Sequence, residues 1–184
     1  MGTIFVDNIK QQSSQGSGTI TIGASGETVA LASGVKQSNL MYPAFDANIA
    51  GQQAVSSATV TKAAFDTENL DTDNCYDNTT NYRFTPNVSG KYLIYLSLGT
   101  NSNTGSNLHY SYGMIYKNGS EVTKSHYNLN NNFIFYTTNS VSVIVDLNGT
   151  SDYVEAYGEI SVVSGTPSFQ SGAFSRFGGY RIGT

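Results

Sequence analysis

Two Asn-Gly dipeptides, each between runs of alternating apolar and polar residues, constrain this chain more than any other feature of its sequence. Asn118-Gly119 stands inside LHYSYGMIYKNGSEVTKSHY, and Asn148-Gly149 stands inside SVSVIVDLNGTSDYVEAYGEISV. Asn and Gly both tolerate the positive φ that a tight two-residue turn requires, so this pair between alternating runs is a strong hairpin signal. We therefore expect two antiparallel hairpins.

A third segment, GKYLIYLSL over residues 90–98, is apolar on both faces of the strand that its alternation predicts. The two faces carry Tyr92, Ile94 and Leu96 on one side and Leu93 and Tyr95 on the other. A strand of this kind is covered on both sides, either within one subunit or by a neighbouring subunit. The C-terminal FQSGAFSRFGGYRI predicts a further strand, which we expect to be paired inside a sheet.

The composition indicates an all-β chain with one main domain and an appendage. Of the 184 residues, only 12% are charged, so Asn, Ser, Thr, Tyr and Gly must supply the polar surface. These residue types suit strands and turns better than helices. Residues 1–37 hold only short, Gly-interrupted apolar pieces that cannot bury a core alone, whereas strand signals recur through residues 38–184. We expect an extended N-terminal β-arm over 1–37 and a globular head over 38–184.

Several classes of function are disfavoured by the sequence. The net charge is −4 and there is no run of Lys or Arg, so nucleic-acid binding is not expected. No apolar run approaches the roughly 20 residues that span a bilayer, so membrane insertion is not expected either. The first ten residues, MGTIFVDNIK, lack the basic and apolar regions of a secretory signal, which favours assembly in the cytoplasm. No motif for a catalytic serine, a zinc site or a phosphate-binding loop occurs, so we expect no enzyme activity.

Residues 65–96 resemble the signature of the complement-C1q family, whose heads share the jelly roll of the tumour-necrosis-factor (TNF) family. The residues that carry the resemblance are Phe65, Asp71, Tyr76, Phe84, Gly90 and Tyr92, with Phe84 one residue further along than the pattern asks. The resemblance implies a homotrimer of jelly-roll β-sandwiches. Together with the doubly apolar strand, it suggests a trimer interface at Tyr92, Leu93, Ile94, Tyr95, Leu96, Phe177 and Tyr180.

The first 36 residues resemble the N-terminal segments of bacteriophage tail-fibre and virion structural proteins. This resemblance implies a virion surface protein, either a short fibre or a capsid-decorating knob, whose arm holds other virion proteins of the capsid or tail. Two alternatives remain open at this point. One is a secreted C1q-like recognition module. The other is a depolymerase-type spike tip, which would need a pair of carboxylates such as Glu155 and Glu159.

Two sets of side chains are candidates for binding. Tyrosine gives contact area and a hydroxyl at low entropic cost, so five tyrosines could contact a host surface glycan or protein, or pack in the trimer: Tyr110, Tyr112, Tyr127, Tyr153 and Tyr157. In the loop DTDNCYDN, Asp71, Asp73 and Asp77 offer hard oxygen ligands for Ca²⁺. The alternative for these aspartates is a solvated loop rich in turn-forming residues. No other cofactor is expected.

Overall fold

The computed structural model describes residues 42–130 and 133–183 of the chain. The predicted arm over 1–37 lies outside these residues. The described part contains one short 3-10 turn, Gly172–Phe174, and thirteen β-strands. The strands are β1 Ala44–Asn48, β2 Gln53–Ala54, β3 Thr61–Lys62, β4 Thr67–Asp71, β5 Tyr76–Asp77, β6 Arg83–Phe84, β7 Gly90–Asn101, β8 Leu108–Lys117, β9 Ser120–Asn128, β10 Tyr136–Leu147, β11 Val154–Val162, β12 Ser168–Phe169 and β13 Arg176–Gly183. The all-β class predicted from composition is confirmed.

The strands form two antiparallel sheets. Sheet I has the order β2-β12-β7-β13-β1-β4, and β10 pairs along the other edge of β7. Sheet II has the order β5-β6-β11-β8-β9, with β3 also paired to β11. The C-terminal strand β13 lies between β7 and β1, as expected for a last strand held inside a sheet. Among the described residues, no helix is long and apolar enough to cross a membrane.

One predicted hairpin is confirmed and the other is wrong. Strands β8 and β9 pair across the Asn118-Gly119 turn, where both residues have positive φ (50° and 79°). Strands β10 and β11 do not pair with each other, because β10 belongs to sheet I and β11 to sheet II. The connection after β10 crosses between the sheets. Its turn is ordered by the Asn148 side chain, whose Oδ1 accepts hydrogen bonds from the backbone N–H groups of residues 150–152.

Aromatic side chains pack against one another in the space between the sheets. The ring of Phe45 on β1 stacks on Phe84 with centroids 4.4 Å apart, and it meets Phe177 edge-on at 5.0 Å. Phe84 in turn meets the ring of Tyr92 at 5.7 Å. Such ring pairs add to the free energy gained from burying the apolar area itself. Four aromatic residues of the signature found in the sequence therefore belong to this core: Phe65, Tyr76, Phe84 and Tyr92.

This core corrects part of the predicted trimer interface. Tyr92, Ile94, Leu96 and Phe177 are at most 2% exposed within a single chain. They point between the sheets, so they have no surface to offer a neighbouring subunit. The other three residues of the prediction, Leu93, Tyr95 and Tyr180, lie on the opposite, outward face of sheet I and are half-buried.

Candidate recognition surface

The outward face of sheet II carries a group of neighbouring tyrosines, which we call the tyrosine surface. Its tyrosines are Tyr110, Tyr112, Tyr116, Tyr153 and Tyr157, all partly exposed. Strand alternation places residues 110, 112, 114 and 116 of β8 on one face. The register sets residues 155, 157 and 159 of β11 beside them. Four of the five predicted binding tyrosines are thus brought together, and Tyr116 is added to them.

Tyr127 is not part of this surface. It pairs with Ser111, whose side chain points into the core, so Tyr127 lies on the other side of sheet II. It stays 44% exposed because β9 is the edge strand. The sequence shows that tyrosines recur along β8 and β9. The side of the sheet on which Tyr127 lies, however, is set by the bulge between Ile115 and Tyr116, which shifts the register by one residue.

At one end of the tyrosine surface, aromatic and charged side chains contact one another through hydrogen bonds, ring stacking and an ion pair. The Tyr110 hydroxyl donates a hydrogen bond to Glu159 Oε1 at 2.7 Å, and this carboxylate raises the pKa of Tyr110. The Tyr112 ring stacks on His126 with centroids 4.4 Å apart and planes 10° from parallel. Lys124 Nζ lies 5.7 Å from the Tyr112 ring centroid and 3.1 Å from Glu121 Oε1. These contacts join the rings and charged groups at this end of the surface into one network.

At the other end, an ion pair is covered by rings. Glu155 is only 3% exposed although its strand position faces outward. Its carboxylate pairs with Lys62 Nζ at 2.7 Å and accepts a hydrogen bond from the Tyr157 hydroxyl at 3.1 Å. Burial and the charge of Glu155 raise the pKa of Tyr157 to about 12. Beside this pair, the Arg83 guanidinium stacks over the Tyr153 ring at 4.4 Å.

Between β8, β9 and the outer side of β11 lies a shallow depression of about 400 Å³. Its lining includes Tyr110, Tyr112, Met114, Glu121, Lys124 and Glu159. This volume falls within the range of small-molecule sites. The depression combines ring surface with hydrogen-bond donors and acceptors, so it can bind a polar ligand that also has an apolar side.

The outward face of sheet I is a second surface of note, which we call the apolar face. It carries Leu93, Tyr95, Tyr180 and Ile144, and Ile144 is 57% exposed. At its border, the Tyr95 hydroxyl donates a hydrogen bond to Asp46 Oδ2 at 2.7 Å, and the Arg176 guanidinium pairs with the same carboxylate. No described element of the chain packs over this face.

The three aspartates predicted as calcium ligands serve the loop itself. The Asp71 carboxylate accepts hydrogen bonds from the backbone N–H groups of residues 73, 75 and 76. The Asp77 carboxylate accepts hydrogen bonds from the N–H groups of residues 79–81, which lower the pKa of Asp77. In the described part of the chain, no group of three or more His, Cys, Asp or Glu side chains could hold a metal ion. The hydrogen bonds of Asp71 and Asp77 are those expected of a turn-forming loop, and calcium binding stays a prediction.

The two histidines do not form a pair. His126 is on the tyrosine surface, opposite Tyr112, whereas His109 contacts Phe133 on the other side of the sheet. Burial raises the pKa of the Cys75 thiol, which is the opposite of what a thiol nucleophile needs.

Comparison with solved structures identifies the fold. The globular domain of zebrafish complement 1qA protein superposes with a TM-score of 0.55 at 14% identity, covering 76% of this chain and 97% of that domain. Murine APRIL superposes with a TM-score of 0.54 at 9% identity, covering 76% of this chain and 98% of that chain. A scan against protein-family models found no match, and a search of curated proteins found none. The described head therefore has the jelly-roll fold of C1q and TNF-family domains, as the sequence resemblance implied.

Proposed function

We propose that this chain is the subunit of a homotrimeric recognition head without enzyme activity. The observation that carries the proposal is the apolar face, where Ile144 is 57% exposed beside Leu93 and Tyr180. An apolar face of a sheet is stable in water only when something covers it. Jelly rolls of the C1q and TNF type are homotrimeric, which supports a second and third copy as the cover.

In such a trimer the tyrosine surface points away from the covered sheet and is free to meet a partner. Tyrosine is enriched at recognition surfaces, because a rigid ring gives contact area at low entropic cost. A catalytic use of Glu155 and Glu159 has little support. Their Cα atoms are about 13 Å apart at the usual rise of a strand, whereas glycosidases hold two free carboxyl groups closer together. Moreover, Glu155 is already occupied by Lys62.

For the biological setting, we propose a bacteriophage virion surface protein, as a short fibre or a decorating knob exposed on the particle. The support is the sequence of residues 1–36, which resembles the arms of virion structural proteins. In this proposal the arm contacts other virion proteins, and the head contacts a host surface glycan or protein. The alternative setting is a secreted recognition module, in which the same head would act outside the cell and not on a virion.

Two experiments test these proposals separately. Light scattering on the full chain should give about 59 kDa, three times the 19.7 kDa of one chain, and a mass of one chain at micromolar concentration would overturn the trimeric head. Gold-labelled antibody against the head should decorate particles purified from the source of the sequence. Protein found in the surrounding medium and not on particles would overturn the virion setting in favour of the secreted module.

A further inference from the structure

The depression on the tyrosine surface is specific enough in its chemistry to indicate a ligand class. We propose that it binds a neutral saccharide, through the ring of Tyr112 and the polar groups of Glu159, Glu121 and Lys124. This inference rests on the proposed recognition function and adds the class of ligand to it.

The polar groups of the depression match hydroxyls better than they match an ion. A sugar hydroxyl donates one hydrogen bond and accepts others, so it needs acceptors and donors side by side. Glu159 gives Oε1 to the Tyr110 hydroxyl, and no described residue donates a hydrogen bond to its Oε2. On β9, two strands from Glu159, Lys124 supplies a donor directly beside the acceptor Glu121, with Nζ 3.1 Å from Glu121 Oε1.

The charges of the depression select against acidic saccharides. Two carboxylates, Glu121 and Glu159, and one ammonium, Lys124, give its lining a formal charge of −1. A uronate, sialate or sulfate group would enter beside unneutralised Glu159 and be repelled. A cationic ligand meets a different obstacle, because the cation position beside Tyr112 and Glu121 is already filled by Lys124.

The apolar components suit the less polar face of a sugar ring. Tyr112 is braced from one side by His126 at 4.4 Å, and Met114 and Val60 also line the depression. A pyranose presents axial C–H groups on one side, which pack on an aromatic ring while its equatorial hydroxyls reach polar groups around it. Because His126 holds the Tyr112 ring and Tyr110 holds the Glu159 carboxylate, less conformational entropy is lost on binding.

The test uses the full chain on an array of neutral oligosaccharides (mannose, galactose, glucose and N-acetylglucosamine series) and of acidic ones bearing uronate, sialate or sulfate. We expect binding to neutral members, with acidic analogues at least about tenfold weaker. Glu159→Gln should weaken neutral binding about tenfold, the usual effect of losing a charged hydrogen-bond acceptor. Tyr127→Phe, on the other side of the same sheet, is the matched control and should bind as the parent does.

The sign of the Glu159→Gln effect separates the ligand classes. For an acidic ligand the same substitution removes repulsion and should strengthen binding, which would overturn the inference. Absence of neutral saccharide binding at millimolar concentration would also overturn it. A trimeric mass measured on the same sample would then show that only the ligand assignment has failed, whereas a monomeric mass would show that the proposed head itself has failed.

Discussion

Gly178 lies directly beneath the ring of Tyr95: a Cβ atom on Gly178 would stand 2.2 Å from the Tyr95 hydroxyl oxygen. Because Gly178 has no side chain, the Tyr95 ring can lie over this position of β13. Its hydroxyl then reaches Asp46. Asp46 also receives Arg176 and the Asn69 amide. The close approach of Gly178 and Tyr95 thus helps to place the hydrogen bonds around Asp46, which lie at the border of the apolar face.

Gly178→Ala should therefore destabilise the head, because the new methyl group forces the Tyr95 ring off Asp46. Overpacking of this kind typically costs about 1–3 kcal/mol in the free energy of unfolding. Gly51→Ala is the matched control, since nothing lies within 4 Å of its added Cβ. Urea unfolding of both variants checks the prediction, and equal stability of the two would show that Tyr95 relocates freely.

The buried ion pair of Lys62 and Glu155 makes a second prediction. Lys62→Met leaves a carboxylate that is 3% exposed without its counter-charge, and breaking such a pair costs about 3 kcal/mol. The control is Lys91→Met, which breaks the solvent-exposed pair with Asp146 and should cost less than about 1 kcal/mol. Comparable losses for the two variants in urea unfolding would mean that Glu155 finds another partner or is solvated.

Tyrosine burial predicts a specific alkaline response. The pKa of Tyr157 is raised from 10.0 to about 12 in the folded chain, so its contribution to stability is complete below about pH 10. That contribution is lost as the pH rises through 12, because the unfolded chain releases the proton first. Tyr157→Phe should flatten the fall of the urea midpoint between pH 9.5 and pH 11.5 relative to the parent chain measured in the same buffers. An unchanged slope in the variant would contradict the prediction.

The sequence alone was sufficient to predict the all-β class and to predict which residues of β7 share one side of the strand. Alternation placed Tyr92, Ile94 and Leu96 on one side of β7, and the structure keeps them together. It could not show which side meets the second sheet and which meets water, because both sides are apolar. That choice depends on the strands that flank β7, and β13 comes from residues 75 or more positions away.

The wrong hairpin and the position of Tyr127 both depend on pairing that the local sequence does not determine. An Asn-Gly pair predicts a turn but not whether the flanking strands pair, and at Asn148 the side chain instead orders a crossing between sheets. Tyr127 was a candidate by residue type alone, and the side of the sheet on which it lies depends on the bulge in the β8–β9 ladder, which no local sequence pattern marks. Ile144 is the most exposed residue of the apolar face. It faces outward because it alternates with Val143 and Val145, which pair with inward-facing residues of β7.

In the proposed trimer, the apolar face of sheet I is covered by copies of the same chain. Sedimentation equilibrium on Ile144→Asp tests it most directly, with Val163→Asp as a control of similar exposure (62% against 57%) away from that face. We expect a trimer for the parent and for Val163→Asp, and a shift to monomer for Ile144→Asp, because a carboxylate would be buried unpaired in the interface. A parent that sediments as a monomer, or an Ile144→Asp variant as trimeric as the parent, would contradict it.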